Sequence, residues 1–182
     1  MSIKTKTHQF RIETNQLISE YKEIISHTYE FLKDSKDWLE YKRVKRKVDG
    51  DIYSIKLKSL INMALVYFYS LYEGFTTRFF KKLTMNDFEI DEAQFKKQYP
   101  RFHDIVEKLM KRVYKFYIPK RMYSVIMLLR EARHNIAHGE KNAKSEFGII
   151  EICYHTLLEY FHYVENRRYT LSKSVGYRKF TE

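Results

Sequence analysis

Apolar residues recur at intervals of three, four and seven along most of this 182-residue chain. That spacing puts them on one face of an α-helix. From about Thr7 to Leu32 the recurring positions are Phe10, Leu17, Tyr21, Ile24, Thr28 and Phe31, which predicts a first amphipathic helix. Asp34 to Trp38 is expected to end or kink it. Lys42-Arg43-Val44-Lys45-Arg46-Lys47 then reads as an exposed basic loop, followed by the turn signal Asp49-Gly50. A second helix is predicted from about Ile52 to Leu83. Its middle, Leu60 to Phe68, is apolar nearly all round, as expected of a helix buried on most faces at the centre of a bundle or partly in a subunit interface. Tyr72-Glu73-Gly74-Phe75 interrupts that run. A Glu beside a Gly there suggests a close helix crossing with one partnered carboxylate, against the plainer reading of a Glu that reaches solvent.

The pattern then loosens. Thr84 to Glu92 reads as a polar loop. Helical pieces are predicted over Ala93 to Gln98 and Arg101 to Phe116, divided by Pro100, the second with an apolar stripe of Ile105, Leu109, Val113 and Phe116. Pro119 stops that piece and suits the start of the next. A fourth segment, Lys120 to His138, carries Val125, Leu128, Leu129, Ala132 and Ile136 as its buried stripe. After a polar turn from Gly139 to Ser145, a fifth runs from about Glu146 to Arg167 and turns Ile149, Ile150, Cys153, Leu157, Tyr160, Phe161 and Val164 inward. A short basic tail from about residue 170 is expected to be loosely held. With only 5 Gly and 2 Pro, few breakers interrupt these segments, and the expected fold class is all-α, about five helices in one domain spanning 1–182.

Composition changes this picture in two ways. The chain has 34 Lys+Arg against 23 Asp+Glu, a formal net charge of +11, which favours a polyanionic partner, nucleic acid before membrane. The basic run Lys42, Arg43, Lys45, Arg46 and Lys47 and a second group, Lys108, Lys111, Arg112 and Lys115, are candidates for phosphate contact; solvated charge is the plain alternative. The single cysteine, Cys153, sits in an apolar stripe and reads as a structural thiol. It makes neither an intramolecular disulfide nor a thiolate metal cluster, which fits a reducing cytoplasm. Met1 to Lys6 has no apolar signal core, and the most apolar run, Ile61 to Tyr69, is too short to span a bilayer.

The densest candidate chemistry closes the fourth segment. Arg133, His134, Asn135 and His138 fall within six residues, and Gly139 follows as a helix-closing residue that readily takes positive φ. Basic side chains also favour a helix C-terminus through its dipole, but Asn135 and His138 add hydrogen-bonding groups beyond mere positive charge. A guanidinium that grips a phosphate at two points, beside an imidazole that moves protons near neutral pH, suits RNA cleavage. His134 and His138, four apart, could face one ion, yet no Glu follows His134 and no thiol accompanies Cys153, so no metal site is expected. No Gly-x-Ser-x-Gly elbow and no glycine-rich phosphate loop is present.

Arg133-His134-Asn135-Ile136-Ala137-His138-Gly139, on the penultimate helix of an all-helical chain, resembles the HEPN superfamily (higher eukaryotes and prokaryotes nucleotide-binding domain) and its Arg-x4-6-His motif. Tyr72-Glu73-Gly74-Phe75 is similar to a Tyr/Trp-Glu-Gly-Phe element of some prokaryotic members. The resemblance covers roughly Ile52 to Val164. It implies an up-and-down helical bundle and a metal-independent endoribonuclease of defence systems, toxin–antitoxin pairs or RNA processing, without cofactor. Two motif copies would meet at a homodimer interface as one composite site, and an antitoxin or defence-system protein is a possible partner. Arg133 and His138 carry over as the catalytic pair. Asn135 is a supporting residue, displaced by one place because His134 takes the usual Asn slot. Glu73 is expected near Arg133, orienting its guanidinium. Some toxin members carry, two residues beyond the motif His, a Tyr that a partner nucleotidyltransferase modifies; Glu140 stands there, so that regulation is not expected. A non-catalytic module of the same kind, binding RNA, nucleotide or a protein partner, is the other reading.

Overall fold

Between Ile3 and Lys45 the chain has no glycine and no proline, and in the computed structural model the whole stretch is one helix, α1 (Ile3–Lys45). The structure describes residues 3–47, 49–139 and 146–178. After α1 come α2 (Gly50–Phe88), α3 (Glu92–Gln98), α4 (Phe102–Asp104), a π-helix (Ile105–Val113), α5 (Lys120–Ala137) and α6 (Gly148–Arg178). Among the described residues there is no strand; the protein is an all-α helical bundle, as the periodicity predicts.

The helices run further than their apolar stripes suggest. Asp34 to Trp38 does not end α1: no glycine or proline stands there, and Lys36 pairs with Glu40 at 3.6 Å one turn on. Lys42, Arg43 and Lys45 are therefore not loop residues but the last turn of α1, where cations suit the helix dipole. Only Arg46 and Lys47 lie beyond it. At the turn, Asp49 Oδ1 accepts from the Asp51 amide at 2.8 Å and opens α2. The predicted loop from Thr84 is also helical up to Phe88, with Thr84 Oγ1 donating to the Phe80 carbonyl at 2.6 Å. Glu89, at φ 54°, ends the helix, and an Asp91/Gln94 capping box starts α3. The tail expected to be loose from residue 170 continues as α6 to Arg178. The polar turn after Gly139, with Glu140, lies outside the described residues.

One predicted stripe is buried only in part: Leu17 and Tyr21 face the core, as expected, but the later members do not. Leu17, Ile24, Phe31 and Trp38 are successive heptad positions on α1, yet Leu17 is 5% exposed while Ile24, Phe31 and Trp38 are 38%, 61% and 54% exposed. Burial on a helix this long depends on what packs beside it, and the core lies under the neighbouring column, about 100° round the helix. Ile18, Ile25 and Leu32, one position further on, fill the core instead. In the π-helix, bonds such as Tyr114 N–H to the Leu109 carbonyl (3.0 Å) widen the turn. Met110 and Tyr114 are buried there in place of the expected Val113.

Packing divides the chain into two compact units. The first comprises Met1–Tyr21, Tyr72–Pro119 and Tyr160–Glu182. Its core is aromatic: Tyr21 and Tyr160 meet Phe75 edge-on at 5.3 and 5.9 Å, and Phe161 lies 4.6 Å from the same ring. Tyr160 and Thr76 share a buried hydroxyl–hydroxyl hydrogen bond of 2.9 Å, and burial pushes the Tyr160 phenol far above its ordinary pKa, keeping it neutral. The expected close crossing is here: Gly74 lets the Tyr21 hydroxyl approach so that a Cβ would meet it at 2.9 Å. The second unit comprises Lys22–Leu71 and Lys120–Glu159. Its core contains Ile25, Leu32, Ile61, Leu65, Phe68, Leu129, Ile150, Cys153 and Leu157, and Tyr29 stacks on Tyr154 at 4.2 Å.

Candidate functional site

The stripe Ile126, Leu129 and Ala132 seats α5 in the second unit, and this seating aims its C-terminal turn at solvent. The His138 amide donates to the His134 carbonyl at 3.0 Å and the Gly139 amide to the Ile136 carbonyl at 3.2 Å. Gly139 takes φ 70°, the left-handed conformation expected at a helix end. Arg133, His134 and His138 are exposed and Asn135 is half-buried, so the polar group of the motif lies at the surface.

Within the group the helix decides which side chains meet. His134 and His138 are one turn apart, with ring centroids 4.4 Å apart and planes inclined at 57°. Arg133 and His138 are five residues apart, about 140° around an ideal helix. The Arg133 guanidinium instead sits over the ring of Tyr69, 5.3 Å from its centroid, a cation–π distance. Tyr69 is 5% exposed on α2. Sequence reasoning passed over it, because one tyrosine among 16 carries no signal until the fold sets it under a motif arginine. Glu73, one turn along α2 from Tyr69, is half-buried and belongs to the first unit. An open groove of about 760 Å³ runs along α5 to His134, lined by Ser124, Val125, Met127, Leu128, Arg130 and Glu131. Among the described residues α5 alone supplies its lining.

The two basic groups differ in availability. Arg43, Lys45, Arg46 and Lys47 are exposed; Lys42 lies over the Trp38 ring at 3.6 Å and Arg43 over Tyr53 at 4.9 Å. In the other group, Lys108 pairs with Asp104 at 2.9 Å and Lys111 with Glu107 at 2.6 Å. That leaves Arg112 and Lys115 as its exposed cations without a direct salt bridge among the described residues, Arg112 acting on Glu107 only from a distance. The first group belongs to the second unit, with the motif, and the other to the first unit.

Cys153 is buried at 1% exposure, in keeping with a structural thiol. Among the described residues no cluster of three or more His, Cys, Asp or Glu side chains is arranged to hold a metal ion, and no helix is long and apolar enough to cross a membrane. No protein-family model, no curated protein and no solved structure matches the chain.

Proposed function

We propose that this protein is a metal-independent endoribonuclease of the HEPN type, acting in the cytoplasm as a toxin or as an abortive-infection effector of antiviral defence. The observation that carries this reading is the exposed Arg133/His134/Asn135/His138 group at the end of α5 in an all-α chain. In the proposed reaction the neutral His138 imidazole takes the proton of an RNA 2′-hydroxyl. The 2′-oxygen forms a bond to the adjacent phosphorus, and the bond from phosphorus to the 5′-oxygen breaks. A protonated imidazole, from the second motif copy of a homodimer, gives its proton to that departing oxygen. Arg133 holds the phosphate and stabilises charge on its oxygens. DNA lacks the attacking hydroxyl and is spared.

The angular separation of Arg133 and His138 on one helix supports a composite site, since a partner's motif supplies groups from the opposite side. The open groove along α5, lined by that helix alone among the described residues, supports a subunit docking there. Cleavage of RNA in EDTA tests the reading: His138→Ala should lower the rate about 100-fold or more while leaving the fold intact. Arg133→Lys should also be damaging, because a point charge does not replace the two-point contact. RNA binding without cleavage by the purified wild-type chain would favour the non-catalytic module, which the basic, exposed end of α1 also suits.

A further inference from the structure

We propose that the groove between α1 and α2 is a base-binding subsite: it takes one unpaired base of a nucleic acid strand against the Trp38 indole, while the basic end of α1 holds the flanking phosphates. The inference takes the strand to be RNA from the reading above, but it needs no cleavage. The groove has a volume of about 580 Å³ and apolar walls, formed by Phe31, Trp38 and Leu39 from α1 and by Leu60 and Met63 from α2. Polar groups in it are few. The Asp34 carboxylate and the Lys56 ammonium line it, both exposed and in no ion pair within the chain among the described residues. Apolar walls with a few polar groups suit a flat heterocycle, whose faces stack while its edges hydrogen-bond.

Position along the helix selects the occupant. Trp38, Tyr41, Lys42 and Lys45 follow one another at the three-four-seven spacing, so two aromatic rings and two cations share one face of α1. Trp38 and Tyr41 are 54% and 57% exposed. Phe31 and Asp34 of the groove lie one to two turns before Trp38, and the cations come after it, so the indole stands between the groove and the basic turn. Lys42 Nζ lies 3.6 Å from the centroid of that ring. Along the axis Lys42 and Lys45 are about 6 and 10 Å beyond Trp38. A base seated on the indole therefore has its own phosphate beside Lys42, and the next ones beside Lys45, Arg46 and Lys47, which are exposed. Tyr41 offers a ring to the following base. A duplex would satisfy the cations but keeps its base faces inside the stack, so the exposed rings favour an unpaired strand. An acidic peptide would satisfy the cations alone.

Trp38 is the only tryptophan, so its emission reports a base arriving on it. The probe is an oligomer of about eight deoxythymidines, which the proposed 2′-hydroxyl chemistry cannot cut. It should quench Trp38 emission on titration, and a blunt duplex should leave that emission unmoved. Trp38→Ala should weaken binding of the labelled oligomer by about 10-fold or more, as loss of a stacked base does, and Trp38→Phe should recover most of it. Neither should change the salt slope, because stacking releases no counterions, whereas Lys42→Glu should flatten it. Met63→Glu, on the α2 wall and 54% exposed, should weaken binding as Trp38→Ala does. The helical spectrum and melting temperature should stay the same in these variants. Binding that leaves Trp38 emission unmoved, or that is indifferent to Trp38→Ala, overturns the proposal. So does a wild-type chain that takes up no oligomer at low salt, or that binds polyglutamate as tightly as the oligomer. None of these results touches the catalytic reading, which stands or falls on RNA cleavage in EDTA.

Discussion

Replacing Gly74 by alanine should destabilise the protein, and only while Tyr21 keeps its hydroxyl. A Cβ at Gly74 would lie 2.9 Å from Tyr21 Oη and 3.8 Å from Cζ, so either the ring or the helix must move. The ring has little room: Tyr21 is 6% exposed and edges onto Phe75 at 5.3 Å and Phe161 at 6.0 Å. Overpacking of a filled core costs about 1–3 kcal/mol. Alanine's better helix propensity offsets about 1 kcal/mol of that. The net expectation is a loss of about 1 kcal/mol, or roughly 2–4 °C in Tm for a chain of this size. Tyr21→Phe removes the clashing atom, at a cost of about 1 kcal/mol for its hydrogen bonding. In that background Gly74→Ala should stabilise by about 0.5–1 kcal/mol, so the two substitutions couple by about 2 kcal/mol. Urea unfolding followed by circular dichroism on the four proteins of the cycle measures this. Additivity to within about 0.5 kcal/mol would refute the contact, and a stabilising Gly74→Ala in the wild-type background would show that the crossing has slack.

Tyr160→Phe should cost about 1–3 kcal/mol, because it strips the fully buried Thr76 hydroxyl of its 2.9 Å partner; Thr76→Val in the same chain should recover part of that loss in urea unfolding. Lys81 and Lys96 hold the Glu92 carboxylate down at about 2 from the ordinary 4.5. A depressed carboxylate stabilises above its unfolded value, so this contribution is present above pH 4.5 and fades as pH falls towards 2. Glu92→Gln should flatten the acid limb of stability in that window at low salt, and the difference should shrink in high salt because the group is exposed. RNA affinity should fall steeply with salt. Reversing three charges among Lys42, Arg43, Lys45, Arg46 and Lys47 should flatten that slope more than reversing Lys108, Lys111 and Arg112, since two of the latter are already neutralised by Asp104 and Glu107. Equal slopes from filter-binding titrations would show that these ion pairs open freely on RNA.

Much of this protein was legible in the chain because its signals are local. The scarcity of Gly and Pro and the three-four-seven repeat determine the helices. Gly139 determines where α5 stops, since it alone near that end takes φ 70° without strain. The four-residue step from His134 to His138 already implies the neighbouring imidazoles found at 4.4 Å. Gly74 in an apolar run likewise announces the close approach that Tyr21 makes.

What the chain could not reveal depends on partners distant in sequence. The heptad of Leu17, Ile24, Phe31 and Trp38 looks like one buried stripe, but whether a position on a 43-residue helix is buried depends on what packs beside it, and the core takes the adjacent column of Ile18, Ile25 and Leu32 instead. The ends of α1 and α2 outrun their stripes because helix termination needs a breaker or a competing contact, and none is present before Lys45 or Phe88. Two of the four cations in the second basic group are neutralised by acids one turn away, a matter of side-chain geometry rather than of charge totals. Tyr69 under Arg133 is the clearest case. Sixty-four residues separate them, no spacing rule links them, and only the packing of α5 onto α2 brings the guanidinium over that ring.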